Sequence, residues 1–298
     1  MFTKLSEIVE VAKSKPTRKV AVAAAADKPV LKAIKEAMMQ NIVIPVLVGN
    51  TEEIKKIAKE IDFDISNIEI IEESNPRQAA VVAVEQIRKG NADVLMKGLV
   101  GSGPFLKAVL DKEKGLRKSA TLSHVAFFET PFYHKIIGLS DAALNVEPEF
   151  NEKVAILKNG VDAFHKLGIK EPKVAVIGAV ETVNPKMQPS TDAALMTMMN
   201  RRNQISGCIV DGPLALDNAV SLEAAQHKGI ESPVAGEVDL ILTPDIYSAN
   251  IMYKTLNFLG GATSAAVIMG ATVPVILTSR SDTEHTKHMS IALAAAME

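Results

Sequence analysis

The residues most able to do chemistry lie in four short segments, each directly after an apolar run of the 298-residue chain. The first, 97–103, reads Lys-Gly-Leu-Val-Gly-Ser-Gly and contains the candidate phosphate ligands Lys97, Gly98, Gly101 and Ser102. Glycines let the backbone turn tightly, so that free N–H groups point at an anion near a helix N-terminus, and the lysine adds positive charge. The spacing is not that of a P-loop. It indicates either a phosphate-binding loop or a strand–helix turn with incidental glycines.

A second segment, 278–282, reads Thr-Ser-Arg-Ser-Asp near the C-terminus. Arg280 follows an apolar run directly, and Ser279 lies beside it. The planar guanidinium can hold two oxygens of a phosphate in a bidentate fork. The other interpretation is a surface arginine followed by a serine or aspartate that caps the next helix.

Two further segments carry carboxylates and amides. In the first, Asp211 and Asp217 flank a Gly-Pro turn, and in the second, Asp245 precedes a helical pattern that contains Asn250. Asp217 and Asp245 are good helix caps, and Asp211 could simply end its strand. Asn250 lies inside a helix, which is unfavourable by propensity. A ligand, a tertiary hydrogen bond or simple exposure would each explain it.

The histidines and the cysteine do not form a metal-binding pattern. His285 and His288 are three residues apart, and no His-Glu-x-x-His sequence occurs. We therefore interpret the two histidines as part of a solvated helix face, with no metal site. Cys208 lies in an apolar run and is predicted to be a core residue.

These residues need a scaffold of strands and helices, and the sequence alternates the two. The predicted strands are 20–24, 43–48, 68–71, 94–96, 125–128, 135–139, 174–177, 208–210, 240–242 and 273–277. The predicted helices are 28–40, 51–61, 76–89, 103–113, 149–167, 190–202, 217–228, 246–259 and 282–297. Short continuous apolar runs are typical of strands covered on both faces, and their alternation with helices predicts an α/β fold.

The composition narrows the function classes. The net charge is −2 and aromatic residues make up 4% of the chain, with no tryptophan. These values argue against a nucleic-acid or anionic-membrane surface. The apolar runs are far shorter than the ~20 residues of a membrane helix, and the charged N-terminus does not resemble an export signal. We expect a soluble, cytoplasmic protein without an internal disulfide.

Together, the four segments resemble the phosphotransacylase family of phosphate acetyl- and butyryltransferases, and the resemblance is closest to its butyryl branch. It covers essentially the whole chain. The most specific stretches are 93–112, 180–187, 210–219 and 277–282. The resemblance implies reversible transfer of a short acyl group, butyryl or branched with four or five carbons, between CoA and phosphate. Both are substrates, so no cofactor is expected.

The resemblance also implies a fold of two α/β domains with an interdomain cleft, similar to isocitrate and isopropylmalate dehydrogenases. The expected first domain comprises 1–143 plus 277–298, and the second comprises 144–276. A homo-oligomer, a dimer or larger, is expected. Within this fold, Ser279 and Arg280 match the family's Ser-Arg pair near the acyl phosphate. Asp217 and the pair Asp245 and Asn250 match cleft-lining motifs of the second domain.

Two departures from the family pattern bear on the chemistry. The acetyl-specific enzymes usually carry an acidic residue, proposed as the base for the CoA thiol, at the position of Thr286. Asp282 and Glu284 are the nearest candidates to replace it. Ala249 also stands where the family usually has glycine.

Three other functions are compatible with parts of this pattern. They are a phosphate acetyltransferase, a non-catalytic acyl-CoA-binding protein of the same fold, and a dehydrogenase of the related two-domain fold. The dehydrogenase would need a dicarboxylate metal site and a nicotinamide site, and the sequence indicates neither.

Overall fold

The computed structural model describes residues 2–279 and 282–298. Its strands are β1 (Arg18–Ala23), β2 (Val43–Gly49), β3 (Glu69–Glu72), β4 (Val94–Lys97), β5 (Ser123–Glu129), β6 (Ile137–Ser140), β7 (Lys173–Ile177), β8 (Ile209–Leu214), β9 (Leu240–Leu242), β10 (Thr263–Met269) and β11 (Val275–Ile276). Its helices are α1 (Leu5–Ser14), α2 (Lys28–Met39), α3 (Thr51–Glu60), α4 (Pro76–Arg88), α5 (Ser102–Val109), α6 (Phe150–Lys166), α7 (Gln188–Arg201), α8 (Leu216–Val220), α9 (Leu222–His227), α10 (Ile246–Phe258) and α11 (Glu284–Ala296). The predicted α/β class is confirmed.

The chain divides into two compact units. The first unit comprises Leu5–Ala120 and Ser264–Glu298, and the second comprises Met1–Lys4 and Thr121–Thr263. The expected domains change instead at 143/144 and 276/277. In the structure, β5 and β6 join a sheet with β9, whereas β10 pairs with β11, which accounts for the different positions of the division. The expected interdomain cleft stays a prediction.

In the first unit the strand order is β3-β2-β1-β4-β11-β10. All neighbouring pairs are parallel except β10 with β11. Parallel strands bring their carboxyl ends to one edge, and the order reverses between β1 and β4. At such a switch point the loops that follow the two strands leave a crevice in which α/β proteins bind ligands. The loop after β4 begins at Lys97.

The core of the first unit encloses β1 and β4, the two strands on either side of the switch point. Val20 and Ala21 of β1 and Leu95 and Met96 of β4 are fully buried, and because consecutive residues of a strand point to opposite faces, the two central strands are covered on both faces. Helix α11 is buried from Lys287 to Ala296. It packs against α1, α2 and β11.

The second unit has the strand order β5-β6-β9-β7-β8. β5 is antiparallel to β6, whereas β6, β9, β7 and β8 are parallel to their neighbours. Helix α6 packs on β5 and β6. The carboxyl ends of the parallel strands again meet at one edge, where the loops before Asp217 and Asp245 begin.

The structure contains elements that the sequence patterns did not predict. α1 and β10 were absent from the predicted set, and the predicted helix 217–228 is divided into α8 and α9. Ser221 causes the division, because its extended backbone ends α8 while its hydroxyl accepts a hydrogen bond from Ala224 N–H to start α9. Within the described ranges, none of the helices combines the length and hydrophobicity that crossing a bilayer would require.

Candidate active site

The loop after β4 is fixed to the end of β1. The N–H groups of Gly98 and Leu99 donate hydrogen bonds to the carbonyls of Ala23 and Ala24, at 2.8 and 2.7 Å. A Cβ atom at Gly98 would lie 2.8 Å from Ala23 O and closer still to Ala24 O, so only glycine fits there. Ala24 itself has φ of +54°, the left-handed region that costs a non-glycine residue about 1–2 kcal/mol. The switch point is therefore tightly packed and locally strained.

Lys97 is the last residue of β4 and is buried, with 6% of its surface exposed. Its ammonium Nζ donates to the carbonyls of Gly98 and Val100, both at 3.3 Å. A positive charge is thus placed under the loop rather than in bulk solvent. The binding of an anion by this loop stays a prediction.

Gly101 and Ser102 begin helix α5. Gly101 occupies the N-cap position, and its missing side chain leaves the first N–H groups of α5 without a side-chain cap. An open depression beside them is also lined by Ser74, Asn75 and Arg77, which surround the start of α4. The positive ends of two helix dipoles therefore border one depression, an environment that favours negative charge.

Ser279 lies beyond the same edge of the sheet. β11 runs parallel to β4, with Ile276 opposite Met96, so the chain leaves both strands on one side. Ser279 N–H donates to Asp282 Oδ2 at 2.6 Å, and Asp282 N–H donates to Ser279 O at 3.2 Å. These two bonds join Ser279 directly to Asp282. Arg280 and Ser281 lie outside the described residues.

The candidate bases have specific partners. One carboxylate oxygen of Asp282 is engaged by Ser279 N–H. Glu284 is half exposed and forms an ion pair with Lys32 at 2.7 Å. Thr286, at the position of the missing acidic residue, lies within 3.1 Å of the hydroxyl of Thr283, the N-cap of α11. The helix cap is therefore Thr283, rather than a serine at 279 or 281 or the aspartate at 282.

In the second unit, Asp245 and Asn250 have structural contacts. Asp245 caps α10, because its carboxylate accepts hydrogen bonds from the N–H and hydroxyl of Ser248, both at 2.8 Å. Asn250 donates its side-chain amide to Ala142 O at 2.9 Å. The capping and tertiary-hydrogen-bond interpretations are confirmed, and a role in ligand binding stays a prediction.

Asp217 belongs to a charged cluster at the ends of β7 and β8. It lies inside α8 rather than at its cap, which is Ala215. Lys228 Nζ lies 2.9 Å from its carboxylate and also pairs with Glu181. The hydrogen bond from Lys228 lowers the pKa of Asp217 and of Glu181, so both remain ionised at neutral pH. Glu181 lies in the family-specific stretch 180–187 but was not chosen as a site residue, and Lys228 had no distinguishing signal in the sequence.

The interpretation of the histidines is partly wrong. His285 is exposed as predicted, but His288 has only 1% of its surface exposed. Helices α1 and α2 cover this side of α11, a tertiary effect that local sequence does not encode. Among residues 2–279 and 282–298, no group of three or more histidine, cysteine, aspartate or glutamate side chains could hold a metal ion.

The sequence patterns did not identify two buried residues that hold neighbouring loops by hydrogen bonds. Asp141, buried directly after β6, accepts hydrogen bonds from the N–H groups of His124 at 3.1 Å and Ala143 at 3.0 Å. Lys287, buried in α11, donates to the carbonyls of Ser279 and Asp282. The irregular sequence after β6 could have indicated Asp141, whereas a lysine in a predicted helix is normally expected to be exposed.

The fold is that of an α/β protein whose candidate anion-binding loop lies at a topological switch point. Comparison with known proteins gives the family. A profile described as phosphate acetyl/butaryl transferase matches residues 3–79 and 73–295. The chain belongs to this family.

Individual relatives agree with the family assignment. The chain is 48% identical to a phosphate butyryltransferase from Clostridium acetobutylicum, covering 99% of this chain and 98% of the relative. It is 46% identical to a phosphate acetyltransferase from Thermotoga maritima, covering 98% of both. Among proteins of known structure, a branched-chain phosphotransacylase from Enterococcus faecalis superposes with a TM-score of 0.82 at 31% identity, covering 94% of this chain and 99% of that one.

Proposed function

We propose that the protein interconverts a short-chain acyl-CoA plus phosphate with acyl phosphate plus CoA. Butyryl and branched four- or five-carbon acyl groups are the proposed substrates. The observation that carries the proposal is the 48% identity to a phosphate butyryltransferase over 99% of the chain. The buried Lys97, the glycine loop and Ser279 at one sheet edge support it, because both reaction directions require a phosphate group to be bound.

The proposed chemistry is acyl transfer through a tetrahedral intermediate. In the direction of thioester synthesis, the CoA thiolate attacks the carbonyl carbon of the acyl phosphate. A C–S bond forms, the C–O bond to phosphate breaks, and phosphate leaves with the electron pair. A thiol with a pKa of about 8.5 is mostly protonated at neutral pH, so a base or a positive field must favour the thiolate. The oxyanion needs preorganised donors, each worth about 3 kcal/mol.

We assign Ser279 and Arg280 to the phosphate and the developing oxyanion. Lys97 and the loop of Gly98, Gly101 and Ser102 form the second phosphate candidate. Asp282 and Glu284 remain the candidate bases. Their contacts weaken the case for either as the base, because Asp282 accepts a hydrogen bond from Ser279 N–H and Glu284 forms an ion pair with Lys32. A positive field at the edge is therefore the better-supported source of thiolate.

The test is a panel of acyl-CoA substrates from acetyl to five carbons, straight and branched, each assayed with phosphate by release of the CoA thiol. We expect kcat/KM to be highest for butyryl or branched groups. The preference should be graded, because one methylene in an apolar pocket is worth only about 1–3 kcal/mol. No turnover with any member would refute the proposed activity.

A second candidate is phosphate acetyltransferase, favoured by the 46% identity to such an enzyme from Thermotoga maritima. A strong preference for acetyl-CoA in the same panel would select it. Saturable acyl-CoA binding without turnover would instead select a non-catalytic binding protein. A homo-oligomeric state, a cytoplasmic location and independence from any cofactor are further parts of the proposal that follow from the family resemblance.

A further inference from the structure

We infer that the outer face of helix α10, formed by Tyr247, Ile251, Phe258 and the adjoining Leu259, is an interface on which a second copy of this chain packs about a two-fold axis. The inference rests on the homo-oligomeric state in the proposed function and names the surface that forms it. It concerns the second unit alone.

Helix α10 is apolar on two opposite sides. On its inner side it packs on β6, and the ring of Tyr253 lies edge-on to the ring of Phe128 with the centroids 5.4 Å apart. On its outer side, Tyr247, Ile251 and Phe258 follow one another at intervals of four and seven residues. Residues at these intervals share one side of a helix, so the three form a continuous stripe.

The composition of α10 separates it from the solvated helices of the chain. Lys254 is the one charged residue among its 13, whereas α3 carries six charged residues among ten, all of them exposed. A helix that is apolar all round is normally covered on all sides. The outer face of α10 is left open instead. Its four residues are 57%, 67%, 66% and 85% exposed, in chain order.

The open apolar area is large enough to form the core of a dimer interface. A large apolar residue presents about 200 Å² when fully exposed, so the outer face offers roughly 500 Å² at the observed exposures. The largest apolar patch of a typical monomer measures about 300–600 Å², and such patches mark interaction sites. A standard interface buries about 800 Å² on each partner, of which about half is apolar. The outer face alone supplies that apolar share.

The outer face is complementary to itself, which selects a second copy as the occupant. An aromatic ring stands at each end of the stripe, and the branched Ile251 lies between Tyr247 and Phe258. In an antiparallel two-fold pairing, Tyr247 meets the partner's Phe258, and two aromatic pairs form. The same pairing sets the positive start of each helix beside the negative end of the other. Two-fold dimers are also the commonest oligomers of soluble proteins.

Lys254 is compatible with this pairing. Its Nζ lies 5.5 and 5.8 Å from the ring centroids of Tyr253 and Phe258 of its own helix. Cation–π attraction holds the ammonium along the helix, so the hydrocarbon stem can be covered while the charge stays at the rim. A single cation that already faces two rings gives an acidic partner protein little to recognise, which again favours a second copy.

The first test measures the molar mass in solution by light scattering after size exclusion. We expect the unmodified protein to contain two chains of 31.9 kDa or a larger even number. Ile251→Glu places a charge at the centre of the interface and should reduce the mass to half or less, with dissociation about 100-fold easier. The matched control is Leu195→Glu, because Leu195 is 52% exposed on α7, which packs on β7 and β8 rather than β6. Its mass should not change.

The second test reports the geometry without relying on dissociation. Cys208, the one cysteine of the chain, is buried, so an engineered thiol on α10 is the accessible one. Ile251 lies near the proposed two-fold axis, so Ile251→Cys should give a covalent dimer with a short bismaleimide. Leu195→Cys is the control and should remain a single chain on a denaturing gel.

Three results would overturn the inference. They are a monomeric unmodified protein, an Ile251→Glu variant that keeps the full mass, and cross-linking of Leu195→Cys as efficient as that of Ile251→Cys. Neither test uses turnover, so the two proposals fail separately. An inactive protein that assembles and that Ile251→Glu dissociates would refute the proposed reaction and leave the interface intact. An active protein that is monomeric at the assay concentration would overturn the interface alone.

Discussion

Substituting Gly98 by alanine tests whether the close approach of the β4 loop to β1 holds the site together. The added Cβ would lie 2.8 Å from Ala23 O and closer to Ala24 O. An ordinary carbon–oxygen contact is about 3.3 Å or longer, so the loop must retreat by about half an ångström at Ala23 and by more at Ala24. Both obstacles are main-chain atoms, which cannot rotate away as a side-chain tip could.

The expected cost follows from the contacts that the retreat disturbs. Two hydrogen bonds, from Gly98 N–H and Leu99 N–H, lengthen or break, at about 1 kcal/mol each. Overpacking adds about 1–3 kcal/mol. Alanine restricts the unfolded chain more than glycine does, and this effect offsets about 0.4–1 kcal/mol of the destabilisation. The net destabilisation is about 2–4 kcal/mol, which lowers the melting temperature of a chain of this length by roughly 3–6 °C.

Gly103→Ala is the matched control. Gly103 lies in helix α5, five residues further along, and a Cβ there meets no atom within 4 Å. Alanine is about 1 kcal/mol better than glycine in a helix, so this variant should be as stable as the unmodified protein or more so. Thermal unfolding and thiol release from butyryl-CoA are measured for both. A Gly98→Ala protein that melts within 2 °C of the unmodified protein and keeps its activity would refute the reasoning.

Three further predictions concern the chemistry and pH response. Arg280→Ala should lower kcat/KM about 100-fold or more, and Arg280→Lys should fail to restore it because lysine lacks the planar fork; activity of a folded Ala variant within threefold would contradict the assignment. Burial lowers the pKa of His288 below its usual 6.5, so the unfolded chain binds the proton more readily. Stability should be complete above about pH 6.5 and fall as the pH drops below it, and pH-dependent melting of His288→Leu should show a smaller fall. Prolonged chelation should leave the rate of thiol release unchanged, whereas a loss restored by a divalent cation would show that a metal is needed.

The sequence patterns predicted most strands because buried parallel strands carry continuous valine, isoleucine and leucine. β1, β2 and β4 have this character, and their positions differ from the prediction by a few residues at most. β10 was missed because it begins Thr-Ser-Ala-Ala, which weakens the apolar signal although Ser264 and Ala265 are fully or almost fully buried. Small residues suit a strand covered on both faces, but a short window of sequence cannot reveal that cover.

The same limit applies to the site. The lysine–glycine loop and Ser279 could be chosen from sequence because each follows an apolar run, and the ends of parallel strands share an edge. Lys287 could not be chosen, because a lysine in a helical pattern is normally expected to be exposed, whereas this one is buried. His288, the next residue, was misinterpreted because it is buried where α11 packs against α2, which is distant in sequence and whose Glu36 lies 3.7 Å from the imidazole.

The contacts of the charged residues near Ser279 bear on how the CoA thiolate would be formed at the carboxyl ends of the first unit's parallel strands. Asp282 is the carboxylate nearest to Ser279 in sequence, yet one of its oxygens accepts a hydrogen bond from Ser279 N–H. Glu284 is drawn towards Lys32. Lys287 of α11 is buried, and its ammonium donates to the carbonyls of Ser279 and Asp282. A base must be free to take a proton, whereas a fixed charge acts without giving up its hydrogen bonds. If positive potential rather than one of these carboxylates favours the thiolate, the pH–rate profiles of Asp282→Ala and Glu284→Ala should both match that of the unmodified protein, whereas loss of the acidic limb in either variant would identify that carboxylate as the base.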